Sequence, residues 1–296
     1  MFDFFKRLFP EKEEGGYQDD APTLKGSPMD LQMVKPTQSQ LPFRVASCQS
    51  TGKERSHNED TLFIFQTYLD GIDNGMSLGL YLVADGMGGH QNGEIASHLA
   101  AQGAGQFLIE ALVNPLIFNH EGFKEEDISG ILYESVEKAQ NLIRQRVPGG
   151  GTTLTLALIM GDRVFTAHIG DSRLYLVSKD GSLSQKTKDH SLVKRLVDLG
   201  EITEAEAAVH PQRNVLYKAL GQTDALEPDQ DQFRIAAGEG LLICSDGLWG
   251  PVNDQKMRVV LNSNEDLNKA ACELVRLANE AGGPDNITVI LIKRIA

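Results

Sequence analysis

The sequence predicts an α+β fold in which antiparallel sheets pack against each other and helices cover their outer faces. Runs rich in β-branched and aromatic residues, separated by polar turns, occur early, midway and late in the chain, as expected of strands. Between the first and second groups of strands lie two segments whose apolar residues recur at helical spacing. Strands that bracket a pair of helices favour stacked sheets with helices outside.

The first half of the chain divides into a tail, three strands and two helices. Residues 1–42 mix Phe-rich, acidic and Gln/Thr/Pro/Ser-rich stretches without sustained periodicity, and we expect a flexible tail. The folded domain is expected to cover residues 43–296. Its first elements are predicted as strands at 43–49, 61–67 and 79–84, then helices at 93–113 and 126–146.

The second half is predicted to continue with more strands. Three strands at 152–160, 163–170 and 172–178 are joined by tight turns, which indicates an antiparallel meander. A polar, helix-forming insert covers about 184–222. The remaining elements are predicted as strands at 232–236 and 240–246, a helix at 265–281 and a last strand at 286–294.

The composition limits the partners and the compartment. The 296 residues carry a net charge of −13, which disfavours nucleic acid and anionic membranes as partners. No apolar run approaches the roughly 18 residues of a membrane span, and the amino terminus lacks the pattern of a secretory signal. Cys48, Cys244 and Cys272 lie far apart without a C-x-x-C pair, as suits a reducing compartment. We therefore expect a cytoplasmic protein, and a monomer.

Two predicted strands end in the same way, with an acid followed by glycine. Asp85-Gly86 closes one apolar run and Asp246-Gly247 closes another. The Asp-Gly steps at Asp70-Gly71 and Asp180-Gly181 stand where ordinary turns between strands are expected. The two similar strand ends indicate one shared site.

Acidic residues at strand ends or turns occur in five segments, which predicts a metal centre. Oxygen donors without His or Cys suit Mg²⁺ or Mn²⁺ better than Zn²⁺. Converging carboxylates repel one another unless cations compensate their charge, and two metals sharing Asp85 would do so. The glycines after Asp85 let the backbone approach an ion, so that the Gly86 carbonyl becomes a ligand. The five segments are 55–60, 84–89, 169–173, 244–247 and 282–286.

Several motifs together resemble the metal-dependent protein phosphatases of the 2C type (PPM), in their bacterial form. They are R-x-x-x-E-D at 55–60, V-A-D-G-M-G-G-H at 83–90, G-G-T-T at 150–153, G-D-S-R at 170–173, S-D-G-L-W at 245–249 and D-N at 285–286. The resemblance covers 43–296. It implies an αββα sandwich of two antiparallel sheets, two or three Mn²⁺ or Mg²⁺ ions, and hydrolysis of phosphoserine or phosphothreonine by a metal-activated bridging water. The implied partners are phosphorylated proteins, the substrates of a Ser/Thr kinase.

The resemblance also assigns metal ligands by matching motif. Asp85 would bridge both metals, the Gly86 carbonyl would bind one, and Asp246 with Asp285 would hold the other. A third, weaker metal would be held by Asp171 and Asp246.

The remaining site residues are also assigned by the resemblance. Glu59 and Asp60 would complete the metal site by orienting its waters, and Arg55 would grip the substrate phosphate with its planar fork of donors. Eukaryotic members place His directly after the Asp-Gly step as a general acid. Here Met87 takes that position, so the proton donor is unassigned and a metal-bound water is our expectation.

Other residues near these motifs are expected to serve the structure alone. Arg173 is predicted to form a salt bridge, Trp249 to pack, and Cys244 to be a buried, inert thiol. Thr152 and Thr153 are read as plain strand residues. No role is assigned to His57, His90, His168 or His190.

Competing functions leave weaker signals. A cysteine phosphatase needs Arg six positions after its Cys, where this chain has Glu54, Gly250 and Ala278, and the glycine patterns match no nucleotide-binding fingerprint. A catalytically weak member that serves as a phosphoprotein-binding or regulatory module stays an alternative, although every expected metal position is filled. The insert at 184–222 corresponds to the flap of the resembling family. Two interpretations of its basic residues stay open: they attract phosphorylated proteins, or they form a solvated helix face without a binding role.

Overall fold

Two antiparallel sheets form the centre of the structure, a computed structural model that describes residues 41–69, 76–88, 91–115, 125–222 and 226–295. The described residues belong to one compact unit, Ser39–Ala296. The predicted tail, apart from its last two residues, lies outside the described residues, as do the Asp70-Gly71 turn, Gly89 and His90. The boundary predicted at residue 43 coincides with the start of the first strand, and the division into tail and domain stays a prediction.

The first sheet contains five strands. They are β1 (Phe43–Ser50), β7 (Arg173–Val177), β8 (Leu183–Gln185), β10 (Gly240–Cys244) and β11 (Ile287–Arg294). Their order across the sheet is β1-β11-β10-β7-β8. All residues of β10 are buried, in accord with the unbroken apolar run of its sequence.

The second sheet contains six strands. They are β2 (Asp60–Leu69), β3 (Met76–Met87), β4 (Gly151–Thr152), β5 (Leu154–Met160), β6 (Arg163–Ile169) and β9 (Asp229–Arg234). The order is β2-β3-β5-β6-β9, and the short β4 pairs with the end of β3.

The two sheets bury an apolar layer between them, and alternation along each strand decides which side chains enter it. In β3, Tyr81 and Val83 belong to the layer shared with the other sheet, which includes Ile243 and Ile290. The intervening Leu82 belongs to a different cluster, beneath the helices. Because successive side chains point to opposite faces, one apolar strand supplies two cores.

Helices cover both outer faces. The six-stranded sheet packs against α1 (Gln91–Leu108), which continues into a π-helical turn at Ile109–Val113, and against α2 (Glu125–Arg146). The insert contributes α3 (Leu192–Asp198) and α4 (Glu204–Ala208). The five-stranded sheet packs against α5 (Asp246–Trp249), α6 (Asp254–Ser263) and α7 (Leu267–Glu280). The predicted αββα sandwich is therefore confirmed.

The predicted meander over 152–178 is wrong in its last step. Strands β5 and β6 form a hairpin, but β7 lies in the other sheet, between β10 and β8. Gly170, at a φ of +106°, turns the chain where it leaves β6, and a Cβ there would lie 2.5 Å from Thr153 Cγ2. A tight turn read from sequence does not distinguish a hairpin from a corner between sheets, because both need the same turn residues.

The insert at 184–222 was predicted to be polar and to form helices. It contains two helices, α3 and α4, and both are short. Thr203 caps α4 in a reciprocal capping box with Glu206. The end of the insert returns to the sheet, where Leu220 and Thr152 exchange two backbone hydrogen bonds of 2.9 and 3.1 Å. The sequence interpretation missed β8, α5 and α6, which are too short or too polar to show a clear period.

None of the helices in the described part of the chain is long and apolar enough to cross a membrane.

Replacement of the fully buried Leu156 of β5 by alanine tests the core beneath the helices. We expect Leu156→Ala to lower the free energy of unfolding by about 3 kcal/mol, because it leaves a cavity in a close-packed layer. Urea denaturation followed by circular dichroism measures the change. Val259→Ala, at a side chain that is 62% exposed on α6, is the control and should stay within about 0.5 kcal/mol. Equal effects of the two substitutions would contradict the assignment of the core.

Candidate metal centre

Five aspartates lie at one end of the sandwich, where several strands begin or end. Asp60 opens β2 and stands directly opposite Asp85, near the end of β3. Asp171 lies in the corner between β6 and β7, Asp246 opens α5 after β10, and Asp285 precedes β11. The structure therefore brings together the acids of all five segments in which the sequence predicted them.

Asp85 is at the middle of this aspartate cluster. Its carboxylate lies close enough to those of Asp60 and Asp246 to be repelled by their charges. Loss of hydration, followed by repulsion from Asp60, Asp246 and Asp171, raises the pKa of Asp85 well above its usual value. The pKa of Asp246 is raised well above its usual value by burial and by its acidic neighbours. The negative charges of Asp85 and Asp246 are thus poorly hydrated and are surrounded by other carboxylates.

Asp60 is buried and only half satisfied. Its Oδ2 accepts hydrogen bonds from Ser245 Oγ at 2.8 Å and Thr288 Oγ1 at 2.6 Å. Its Oδ1, like Oδ1 of Asp246, is buried without a hydrogen-bond partner. Burial raises the pKa of Asp60 to about 6 despite the two hydroxyl donors. A buried carboxylate oxygen without a partner requires a cation or a proton.

Asp171 is buried beside the cluster. Its backbone carbonyl accepts a 3.0 Å hydrogen bond from Trp249 Nε1. Burial, with the charge of Asp189, raises the pKa of its carboxyl to about 7. The tryptophan of S-D-G-L-W thus connects the helix that begins at Asp246 to the corner that carries Asp171.

Two threonines hold the backbone of Asp85. Its amide donates to Thr153 Oγ1 at 2.9 Å, and its carbonyl accepts from the Thr153 amide at 2.9 Å and from Thr152 Oγ1 at 2.8 Å. The sequence interpretation treated both threonines as plain strand residues and missed this role. Their position in the G-G-T-T motif was the available signal.

Asn286 fastens the loop before β2 to the start of β11. Its Oδ1 accepts from the Glu59 amide at 2.7 Å, and its Nδ2 donates to the carbonyls of Thr51 and His57 at 2.9 Å each. Its own amide donates to Asp285 Oδ1 at 2.8 Å. The sequence interpretation quoted Asn286 within a motif but gave it no role. The structure makes it the link between Glu59 and Asp285.

Both Asp-Gly steps at the site require bare backbone. A Cβ on Gly86 would lie 2.3 Å from the Gly93 carbonyl oxygen and 2.6 Å from that of Glu59. A Cβ on Gly247 would lie 2.0 Å from the Asn286 carbonyl oxygen. Both glycines therefore allow backbone segments to pack closely at the site, and the approach of the Gly86 backbone to an ion stays a prediction.

Glu59 and Arg55 border the cluster. Glu59 is buried, with Oε1 3.2 Å from His57 Nε2. The half-exposed Arg55 places Nη2 2.8 Å from Asp285 Oδ2. Glu59, predicted to orient metal-bound waters, and Arg55, predicted to grip the substrate phosphate, therefore both stand next to the aspartates.

A cavity of about 670 Å³ opens between the cluster and the insert. One side presents Arg55 and three of the aspartates, and the other presents Lys194 and Arg213. Arg173 also lines this cavity. It forms the salt bridge that the sequence predicted, with a distance of 2.7 Å to Asp189. Its guanidinium also stacks on the Trp249 ring at 3.6 Å, which confirms that the tryptophan packs.

Cys244 is fully buried, and burial raises the pKa of its thiol to about 12, as expected for an inert cysteine.

Residues 53–291 match the family described as Protein phosphatase 2C. This chain belongs to that family. Its members are metal-dependent protein phosphatases, as the motifs had indicated.

Relatives of similar length are named as phosphatases. The chain is 35% identical to a serine/threonine phosphatase stp of Listeria innocua over 243 residues, which are 82% of this chain and 92% of the relative. It is 34% identical to protein phosphatase PhpP of Streptococcus pneumoniae over 244 residues, 81% of this chain and 93% of the relative. The similarity therefore spans nearly the whole of both relatives.

Solved structures show the same fold. The serine/threonine phosphatase PstP/Ppp of Mycobacterium tuberculosis superposes with a TM-score of 0.71 at 33% identity, covering 86% of this chain and 99% of that one. The catalytic domain of a phosphatase PstP in complex with two manganese ions superposes with a TM-score of 0.69 at 32% identity, with the same coverage. Mn²⁺ or Mg²⁺ is the cofactor of this family member.

The residues present fit such ions. Among the described residues, no group of three or more His, Cys, Asp or Glu side chains has by itself the spacing of a metal site. Mn²⁺ and Mg²⁺ commonly take waters and backbone carbonyls beside a few carboxylates, so side chains alone need not complete the ligand set. The donors are all oxygen, the carboxylates crowd one another, and two of their oxygens are buried without partners.

Removing one charge from the cluster should stabilise the metal-free protein. A carboxyl whose pKa is raised on folding binds more protons in the folded than in the unfolded state, so its contribution to stability falls as pH rises from about 4 through the folded pKa. We expect Asp246→Asn to raise the Tm of the EDTA-treated protein at pH 7.5 by about 3 °C. The gain should shrink as the pH falls, because the wild-type carboxyl then takes up a proton and loses its charge.

Differential scanning calorimetry with EDTA measures this effect. Glu265→Gln, at an exposed carboxylate, is the charge-matched control and should change Tm by less than about 1 °C. A lower Tm for Asp246→Asn without metal would contradict charge crowding at the site.

Proposed function

We propose that Asp85, Gly86, Asp246 and Asp285 hold the two metal ions with which this metal-dependent phosphatase hydrolyses phosphoserine and phosphothreonine in proteins. The observation that carries the assignment is the crowding of Asp85 by Asp60 and Asp246, with pKa values that only a cation would return to the ordinary range. Asp85, at the centre, is suited to bridge two ions. Gly86, the residue directly after Asp85, is proposed to offer its backbone carbonyl.

A third metal position is proposed at Asp171. Burial and the charge of Asp189 raise the pKa of Asp171 to about 7, and Asp171 adds to the repulsion on Asp246. The carbonyl of Asp171 is held by Trp249, which leaves the carboxylate on the side of the cavity. A site built on two carboxylates is weaker than one built on three.

Glu59 and Asp60 are proposed to orient water at this centre. Asp60 has one oxygen fixed by two hydroxyl donors and one without a partner, which leaves an acceptor aimed by fixed neighbours. Glu59 is held by its backbone to Asn286 and Gly86. Hydrogen bonds thus hold the backbone of Glu59 and the carboxylate of Asp60 in place beside the cluster.

Bound cations of this kind lower the pKa of a water to form a nucleophile and neutralise charge on the phosphate. Arg55 is proposed to bind the phosphate oxygens, since its guanidinium offers several donors in a plane and lies at the edge of the cavity. Its contact with Asp285 directs it toward the cluster rather than into solvent. Met87 has no proton to donate, so we propose water as the donor to the departing serine or threonine oxygen.

The cavity beside the insert is proposed to receive the phosphorylated side chain. Its volume of about 670 Å³ exceeds what a phosphothreonine alone needs, so residues flanking the phosphate enter as well. Lys194 is paired with Glu204 on the insert, and Arg213 also faces the cavity, which places positive charge beside an acidic cluster. The insert thereby serves as a flap that selects phosphoproteins phosphorylated by a Ser/Thr kinase.

The compartment and the oligomeric state stay predictions. The three cysteines are free thiols, which accords with the cytoplasmic location that the sequence predicts. The alternative function, a weakly active phosphoprotein-binding module, would need a lost ligand. Each aspartate proposed as a ligand is present, and these aspartates lie together.

Release of phosphate from a phosphothreonine peptide tests the ligand assignment. The purified full chain should turn over with Mn²⁺, lose turnover with EDTA, and lose at least about 100-fold in kcat/KM in Asp246→Asn, because the metal no longer binds or polarises the substrate. Glu265→Gln should keep wild-type turnover. No turnover in Mn²⁺, with phosphopeptide binding retained, would favour the binding module.

Arg55 is tested by a conservative pair of substitutions. We expect Arg55→Ala to lower kcat/KM by about 10- to 100-fold, since a charge-assisted pair with phosphate is lost. Arg55→Lys should recover part of the loss, because it keeps the charge without the fork. Steady-state kinetics on one phosphopeptide measures both variants, and an unchanged kcat/KM in Arg55→Ala would overturn the proposed contact.

A further inference from the structure

Two cysteines that are far apart in sequence meet where α7 lies along β1. Asn279 Nδ2 of α7 donates to Ser50 Oγ of β1 at 3.1 Å, which sets the register of the helix on the strand. Cys48 is two residues before Ser50 and therefore shares its face of the strand. Cys272 is seven residues before Asn279 and shares its face of the helix. A short loop joins α7 to β11, which is antiparallel to β1, so α7 and β1 run in roughly the same direction. Cys48 and Cys272 therefore lie on the same side of the Ser50–Asn279 contact.

The contacts of the two thiols agree with this register. The Cys48 and Cys272 side chains lie close enough for Cys272 to affect the pKa of Cys48. Cys48 is partly buried against an apolar cluster that includes Ala271 and Val275 of α7. Cys272 is exposed to solvent, and both are free thiols. A small oxidant can therefore reach the Cys272 thiol, and the partly buried Cys48 thiol lies next to it.

The third cysteine is out of reach. Cys48 and Cys244 both stand opposite Val289, one on each side of β11. Two strand spacings separate them, roughly 9–10 Å between Cα atoms, which is beyond the span of a disulfide. Cys48 therefore cannot pair with Cys244, which leaves Cys272 as its partner.

We propose that Cys48 and Cys272 are a redox modification site: hydrogen peroxide converts them to a reversible disulfide that cross-links β1 to α7. The site is separate from the metal centre and needs no change in it.

The oxidation balances in two steps. The Cys272 sulfur attacks one oxygen of hydrogen peroxide, the O–O bond breaks, and Cys272 becomes a sulfenic acid as one water is released. The Cys48 sulfur then attacks the Cys272 sulfur, the S–S bond forms, and the hydroxyl leaves with the Cys48 proton as a second water. Two thiols are oxidised by two electrons, and one peroxide is reduced to two waters.

The environments of the two thiols give the order of these steps. Burial, together with the neighbouring Cys272 side chain, raises the pKa of Cys48 to about 12. Cys48 therefore stays protonated while the exposed Cys272 reacts first.

The cross-link should stabilise the domain and leave the active site as it is. The disulfide closes a loop that includes most of the folded domain, and long closed loops restrict the unfolded chain most. The Ser50–Asn279 hydrogen bond already holds β1 and α7 together in the thiol form, so the segments that lead to Arg55 and Asp285 need not move. Activity at ambient temperature should persist, and resistance to heat should increase.

The test compares the full reduced chain with the same chain after hydrogen peroxide treatment. Non-reducing mass spectrometry should show a loss of about 2 Da and a peptide that joins Cys48 to Cys272. Titration with Ellman's reagent in denaturant should find one thiol in place of the three of the untreated chain. The Tm should rise by about 5 °C, and dithiothreitol should reverse the rise.

Single substitutions of the three cysteines complete the design. Cys48→Ser and Cys272→Ser should both lose the cross-link, and only Cys48→Ser should form a dimedone adduct at Cys272. Cys244→Ser should still form the cross-link. Three thiols remaining in oxidised wild type, a disulfide between two chains, or an unchanged Tm would overturn the proposal. These measurements do not use phosphatase turnover, so they stand or fall apart from the proposed ligands.

Discussion

Repulsion among buried aspartates is the constraint on which the rest of the structure depends. Asp85 contacts Asp60 and Asp246, and each loses hydration that would otherwise moderate its charge. Such a cluster is tolerable in a fold only if divalent cations, or protons in their absence, neutralise it. The same carboxylates that lower the stability of the metal-free protein therefore provide its affinity for Mn²⁺ or Mg²⁺. The two apolar layers beneath the helices and the layer between the sheets supply the stability that this arrangement costs.

Uncharged groups hold the aspartates in place. Thr153 fixes the backbone of Asp85 from β5, and Asn286 ties the Glu59 loop to β11. Ser245 and Thr288 orient Asp60 from the opposite sheet. Hydroxyl and amide donors perform this work without cancelling the negative charge that the metals need, which basic side chains would do. Arg173, the basic residue nearest Asp171, is instead occupied by Asp189 and Trp249.

The site is assembled across the two sheets rather than within either one. Asp60 and Asp85 come from the six-stranded sheet, whereas Asp246 and Asp285 flank strands of the five-stranded sheet. The corner at Gly170 carries the chain from one sheet to the other and places Asp171 between them. The elements α7 and β1 both lead to this site, because the chain continues from β1 to Arg55 and from α7 to Asp285. A disulfide between Cys48 and Cys272 would join β1 to α7 at a place separate from the metal centre.

The sequence by itself determined the fold class, the αββα layers through its family motifs, and the identity of the aspartates. Period-two and helical spacing are local, and Asp-Gly steps after apolar runs are visible without coordinates. Only the tertiary structure decided that β7 changes sheets, because a corner and a hairpin use the same turn residues. It alone revealed the holding roles of Thr153, Asn286 and Ser245, and the meeting of Cys48 with Cys272. Each of these is a contact between segments distant along the chain, and no local pattern encodes a distance in space.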